Sequence, residues 1–346
     1  MRFEWVTKLT EAQCDALKDF YRILPIVHIE QFPGWNIISQ ENTPVRYCIA
    51  SNANIIQGYT MVYEYKRIEA RIIFGPLAKS IDTSIEIILE VIRYYKKKRF
   101  LSLQVLLGME VGTDATLLQY ILYTKKRFKW VIDKSNKATL ILNLNGKTEE
   151  QLLKHFSENH RRAIKKAEKY NLICRKISAI DEVMKFSEGY DKMFSRRGFK
   201  FSSEKSLKCF VSIFEWLKKG GRGFFMGVFE NDQMIGGVLV LFRNYRAEYY
   251  RGFTLLDERK IPIGHLAFYE AMKWVKQEGI TYFDFGGYNI LVDEKDQVYQ
   301  INKFKKGFHG EYFFYPPIMY FDLMPMGVTI VSFLKRLKKI MQKRPF

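Results

Sequence analysis

Cysteine is scarce in this chain. Its four residues, Cys14, Cys48, Cys174 and Cys209, lie far apart and fit neither a CxxC pair nor a Cys/His ligand spacing. That argues against a disulfide framework and a zinc site, and leaves the four as small apolar side chains. The five histidines, His28, His155, His160, His265 and His309, are scattered in the same way, each read as a local hydrogen-bonding residue. His309 is set apart only by its position in an aromatic and basic cluster. No run of about 18 apolar residues occurs, and the N-terminal MRFEWVTKLTEAQ lacks the apolar core and cleavage site of an export signal, so the expected location is cytoplasmic. There is no Walker loop, GxGxxG, HExxH or GxSxG, which removes the usual signatures of nucleotide hydrolysis, dinucleotide redox chemistry, zinc proteolysis and serine hydrolysis. Acid is in short supply too. With 56 Lys and Arg against 37 Asp and Glu, the net charge of +19 attracts polyanions: nucleic acid, an anionic membrane or a phosphate-bearing substrate.

What is present is a folding chain of 346 residues, 47% hydrophobic, long enough for two domains. Helix signals cover 9–23 and 83–97. Strands are expected at Arg46 to Ala50, Ile55 to Tyr65, Ala70 to Phe74, Phe100 to Leu107 and Thr139 to Leu144, with a further helix over Ala115 to Thr124. The pattern then begins again. The stretch from Gly227 through Asn231 to Gly237 repeats the layout of Tyr47 through Asn52 to Gly58, at an offset of about 179. Helix His265 to Gln277 with strand Thr281 to Phe285 repeats helix Ile85 to Lys97 with strand Leu101 to Leu107, at about 180. Two coincidences at one offset point to a duplicated α/β unit. Each unit looks like the layout of a GNAT-type N-acyltransferase, giving an expected α/β (α+β) fold of two tandem GNAT-like domains with mixed sheets flanked by helices. The first would span 1–147, with 317–346 returning to it; the second would span 148–316.

Three stretches carry candidate chemistry. In Tyr282 to Gly310, a short apolar strand runs into Gly286-Gly287, where positive φ and close backbone approach to a ligand are possible, and the chain returns through Phe304-Lys305-Lys306-Gly307-Phe308. The segment 148–170 reads as one helix with a Thr148/Gln151 capping box; Arg161, Arg162, Lys165 and Lys166 give it a basic stripe suited to anions or to solvent. Residues 328–346 read as a basic amphipathic helix, for an anionic membrane leaflet or for the protein's own body. A CoA-using enzyme of this layout normally has a Gly-rich Q/R-x-x-G-x-G/A turn before its central helix, and Leu255 to Gly264 has none, which disfavours acetyl-CoA.

With these residues in view, the chain resembles the Fem-type (FemA/FemB/FemX) peptidoglycan aminoacyl transferases over nearly its whole length. The resemblance rests on Gly75-Pro76, the NHRRAIKKAEK segment Asn159 to Lys169, Ser195-Arg-Arg-Gly-Phe199, YFDFGGYN from Tyr282 to Asn289, and FKKGFHGE from Phe304 to Glu311. It implies transfer of an amino acid from aminoacyl-tRNA, with no further cofactor, to the amine of a UDP- or lipid-linked muropeptide by a monomeric enzyme. It further implies that Lys305 neutralises the oxyanion or holds the donor's terminal phosphate and ribose, that Phe304 shapes the pocket, and that Arg197 binds a diphosphate or stem carboxylate. Trp35, Gly286, Gly287, Tyr288, Asn289 and Lys306 would line the substrate site, and Arg161, Arg162, Lys165 and Lys166 the nucleic-acid site. Two departures stand out. The lysine the family often carries shortly after the Trp35 position is missing, and no helical hairpin interrupts the second unit. The rival expectations are a Fem-like N-acyltransferase drawing on acyl-CoA or an acyl carrier for an amino sugar of surface polysaccharide, and a non-catalytic nucleic-acid-binding protein.

Overall fold

The computed structural model describes residues 1–324 apart from 40–41, 67, 127–128, 132–137, 199–201 and 256–259; the expected helix at 328–346 lies outside the described residues. The chain divides into one unit of Met1–Asn36, Thr43–Asp133 and Tyr315–Phe346, and another of Ile37–Asn42 and Lys134–Phe314.

The first unit opens with β1 (Arg2–Val6) and α1 (Glu11–Arg22), which starts at a capping box of Thr10 and Gln13. After the short α2 (Trp35–Ile38), β2 (Val45–Asn52) and β3 (Ile55–Tyr65) pair across a two-residue turn. Ala53 and Asn54 there take φ of 47° and 63°, the left-handed geometry whose twist matches a tight hairpin. Then come β4 (Glu69–Ile73), β5 (Leu77–Ala78), α3 (Ile81–Lys97), β6 (Ser102–Leu106), α4 (Thr113–Lys126) and β7 (Lys129–Val131). One face of α3, with Ile88, Val91, Ile92 and Tyr95, packs on Leu103 and Val105. The sheet order is β1-β2-β3-β4-β6-β15-β7, where β15 (Ile318–Asp322) inserts between β6 and β7 late in the chain.

The second unit holds β8 (Ala138–Asn143), α5 (Glu149–His155), α6 (Glu158–Ala167), β9 (Ile173–Lys176), α7 (Ile180–Arg196), α8 (Ser203–Lys218), β10 (Gly223–Glu230), β11 (Gln233–Arg243), β12 (Arg246–Thr254), α9 (Ile263–Gln277), β13 (Tyr282–Tyr288), α10 (Gln297–Lys306) and β14 (Glu311–Phe314). Its sheet runs β14-β8-β13-β12-β11-β10-β9.

Three expectations are corrected. The strand expected at Thr139 to Leu144 sits on the first-domain side of a 147/148 boundary in the sequence, yet β8 is hydrogen-bonded between β13 and β14 in the second sheet. The helix expected over 148–170 is broken. Phe156, fully buried against the Phe308 ring, leaves α5 in extended geometry, and the Ser157 hydroxyl accepts from the His160 amide to start α6. The hairpin repeat is 178 residues rather than 179, because Asn231 and Asp232, with φ of 46° and 63°, match Ala53 and Asn54. Gly58 and Gly236 then correspond, and a side chain at either would meet the helix above it: Ile87 of α3 or Ile263 of α9.

Candidate active site

β12 and β13 run parallel for three residue pairs, Arg246 with Tyr282, Ala247 with Phe283 and Glu248 with Asp284, and no further. Beyond them the register of β13 against β8 shifts between Asp284 and Gly287, so β13 bulges away and the two strands part. Gly286 makes the bulge possible. Its φ is +70°, and a Cβ there would lie 2.9 Å from the Tyr249 carbonyl oxygen, so no side chain fits.

The bulge is held by a buried polar ring. Asp284, only 2% exposed, accepts from both Arg246 Nε at 2.7 Å and the second arm of the same guanidinium, and its Oδ1 accepts from the Gly286 amide at 2.8 Å. Thr139 Oγ1 lies against Asp284 Oδ1 and 2.9 Å from the Gly286 carbonyl, so its single proton serves one acceptor at a time. Burial alone would raise the Asp284 pKa; Arg246, the Thr139 hydroxyl and Arg243 outweigh it and hold the carboxyl below its usual range.

Opposite this ring, the last turn of α10 presents Lys305. Its Nζ donates to the Gly287 carbonyl at 2.7 Å and the Gly286 carbonyl at 3.2 Å, and the residue is 7% exposed. Burial lowers its pKa to about 8, with Asp284 pulling the other way. Two of three ammonium protons are spent on carbonyls. The third is available to whatever occupies the cavity that Lys305 lines.

That cavity is about 490 Å³ and belongs wholly to the second unit. Met193, Val238, Phe253, Phe268, Ile301 and Phe304 give it an apolar wall, while Arg197 and Lys305 bring charge to it. On the other side of Phe304 lies a second cavity of about 470 Å³ bordered by His160, His265, Lys303, Lys306 and His309. His160 fastens the two sides together. The Phe304 carbonyl 2.8 Å from Nε2 can only accept, so Nε2 carries the proton and Nδ1 accepts from the Ser157 hydroxyl at 3.1 Å. Burial lowers the pKa of His160, and burial together with His160 lowers that of His265 to about 4; both imidazoles are therefore neutral near pH 7.

Of the residues singled out in the sequence, Lys305, Phe304 and Arg197 converge on the first cavity, Gly286 and Gly287 supply the carbonyls that hold Lys305, and Lys306 borders the second. The rest are elsewhere. Trp35 is 2% exposed within the first unit. Tyr288 pairs edge-to-face with Tyr312, and the Asn289 side chain accepts from the Leu291 amide in a local turn. On α6, Arg161 donates to the Lys154 and Phe156 carbonyls that end α5, Arg162 pairs with Glu158, Lys166 reaches the Lys260 carbonyl and Lys165 is exposed. Sequence reasoning missed Arg246 and Thr139, for which no local signal exists. Among the described residues no cluster of side chains suits a metal ion, and no helix is long and apolar enough to cross a membrane.

Known proteins share this architecture. The acetyltransferase (GNAT) domain family matches residues 154–300. The crystal structure of FemX matches 95% of this chain and 100% of its own with a TM-score of 0.79 at 16% identity. A tandem GNAT protein from the clavulanic acid biosynthesis pathway matches 93% of this chain and 99% of its own, with a TM-score of 0.57 at 10% identity. L-PGS from Bacillus licheniformis matches 84% of this chain and 88% of its own, with a TM-score of 0.54 at 11% identity. No curated protein sequence matches. At these identities the likeness is one of fold: two tandem GNAT-like domains with mixed sheets flanked by helices, as the repeat implied.

Proposed function

We propose, on the premise of a tandem GNAT-type fold, that this protein transfers an aminoacyl group from aminoacyl-tRNA to the amine of a peptidoglycan precursor's stem peptide. The observation that carries the reading is Lys305, a buried amine tied to two backbone carbonyls at a strand fork, beside an apolar cavity. In this reading the cavity holds the donor's acyl group. The acceptor's neutral amine attacks the ester carbonyl carbon, the carbonyl oxygen gains negative charge, and the third N–H of Lys305 meets it. Collapse expels the donor's ribose oxygen, which takes up the proton released by the amine. Lys305 needs no rearrangement for this step, since its carbonyl partners already fix it. Phe304 borders the reacting centre, Arg197 offers a bidentate partner for a diphosphate or carboxylate, and Lys303 and Lys306, which border the second cavity, draw the donor's phosphates toward it.

The second reading, an acyl-CoA donor and an amino-sugar acceptor, is favoured by the acetyltransferase family match. Against it stands the connection Leu255 to Gly264, whose sequence has no pyrophosphate-cradling glycine turn. Supplying the protein with a charged-tRNA pool carrying radiolabelled amino acids and a muropeptide precursor fraction, with and without ribonuclease, separates them. Ribonuclease-sensitive label on the precursor supports the first reading and identifies the amino acid. Label passing only from acyl-CoA to amino sugars supports the second, and no label from either donor rejects both.

A further inference from the structure

Three glycines line the apolar cavity, and they are there for different reasons. A Cβ at Gly252 would lie 2.7 Å from the Gly237 carbonyl oxygen, and one at Gly237 would lie 2.8 Å from the Met226 carbonyl oxygen and 2.9 Å from the Phe186 ring. Both positions are closed by neighbouring strands and by α7, so glycine is a packing requirement. Gly264 is not. It occupies the first turn of α9, where alanine is the better helix former, and its nearest neighbours beyond its own helix would be Thr254 Cγ2 at 3.5 Å and the Phe304 ring at 3.7 Å, ordinary van der Waals contacts. Nothing in the packing demands the missing side chain. What its absence does is keep open the space between Thr254 and Phe304, in the same cavity that Lys305 lines.

We infer that Gly264 sets the size of the acyl group this enzyme accepts, with the volume left free beside it receiving the apolar part of the donor's side chain. The inference rests on the reading that the cavity holds the donor's acyl group. A methyl at 264 pointing into this space takes the place of one substrate carbon, and the three carbons of valine take more. In an apolar pocket each methylene gained or lost changes selectivity by roughly 10–200-fold. Gly264→Ala and Gly264→Val should therefore lower use of a leucyl donor relative to a glycyl donor by at least about tenfold, with valine the more severe.

The test measures transfer from glycyl-, alanyl- and leucyl-tRNA by the full-length protein and both variants. Alongside, it measures binding of stable 3′-aminoacylamino-3′-deoxyadenosine analogues bearing the same three amino acids. Thermal unfolding confirms that each variant is folded. A loss that grows with side-chain size from wild type through alanine to valine supports the inference. Equal losses for all donors, or no loss, overturn it. If no aminoacyl-tRNA supports transfer but analogue affinity still follows side-chain size and the 264 series, the tRNA-dependent reading fails and the role of Gly264 stands. Analogue binding indifferent to both overturns it.

Discussion

A fork of parallel strands occurs in each unit, closed in the first and open in the second. In the first, β4 and β6 stay paired for five residues, and the Gly75 amide still bonds the Leu106 carbonyl beyond the end of β4. His28 then stacks on Phe74 with ring centres 4.4 Å apart and bonds the Gly108 carbonyl at 2.9 Å, while Tyr315 packs on the same Phe74 ring. Gln31 completes the closure, donating to the Ile73 carbonyl at 2.7 Å and accepting from the Met61 amide at 2.8 Å. In the second, pairing stops after three residues, the bulge at Gly286 swings β13 aside, and a lysine takes the place of strand-to-strand contact. A duplicated fold need not duplicate its site. Here the difference lies in where parallel pairing ends and in which side chains meet the freed carbonyls.

The comparison breaks most visibly at Asp284. Asp284→Asn leaves the Arg246 guanidinium buried without its counter-charge, and the expected loss is about 3–5 kcal/mol in denaturant unfolding. Because the folded pKa of Asp284 is depressed, its contribution is complete above about pH 4 and declines as pH falls toward the folded value. The asparagine variant should lose that part of the acid slope, and an unchanged slope would remove Asp284 from the network's energetics. Lys305→Met should lower transfer by about 10²–10³-fold. Its stability should not fall, since holding an ammonium where its pKa is about 8 costs on the order of 3 kcal/mol at neutral pH. A folded Lys305→Met protein with full turnover would end the assignment of the site. In the first unit, Gln31→Leu should cost about 1–3 kcal/mol through the unpaired Met61 amide and Ile73 carbonyl while leaving transfer per folded molecule unchanged. A large loss of turnover there would show that the closed fork also takes part. The smallest effect is in the pH profile. If protonated Lys305 serves the oxyanion, kcat/KM should bend downward near pH 8, and the bend should be missing from the residual activity of the methionine variant.

Much of this was legible from residues alone, and what was not has a physical reason. The β2–β3 hairpin, the Thr148/Gln151 capping box and the repeat are local patterns, and the sequence shows them, the repeat offset to within a residue. Gly286-Gly287 and Phe304-Lys305 could be matched because both pairs are local and 18 residues apart. The break at Phe156 escaped notice because the apolar face of 148–170 keeps helical spacing through it; the Phe308 ring, far along the chain, draws Phe156 inward. Arg246 opens an ordinary strand and gains meaning only when parallel pairing sets it beside Tyr282, two residues from Asp284. The cavity could not be read at all, since its wall is gathered from α7, β11, β12, α9 and α10.

The bond between Thr139 and Asp284 joins residues 145 positions apart, and Lys305 lies another 21 beyond. During synthesis, therefore, β8 emerges long before either of its strand partners, β13 and β14, exists. Until then its hydrogen-bonding edges are unsatisfied and Thr139 has no carboxylate to meet. Contacts of such long range form slowly because the intervening loop must close first. The candidate site is thus among the last places on the second sheet to take shape, and a nascent chain ending before residue 305 has strands but not the buried lysine between them.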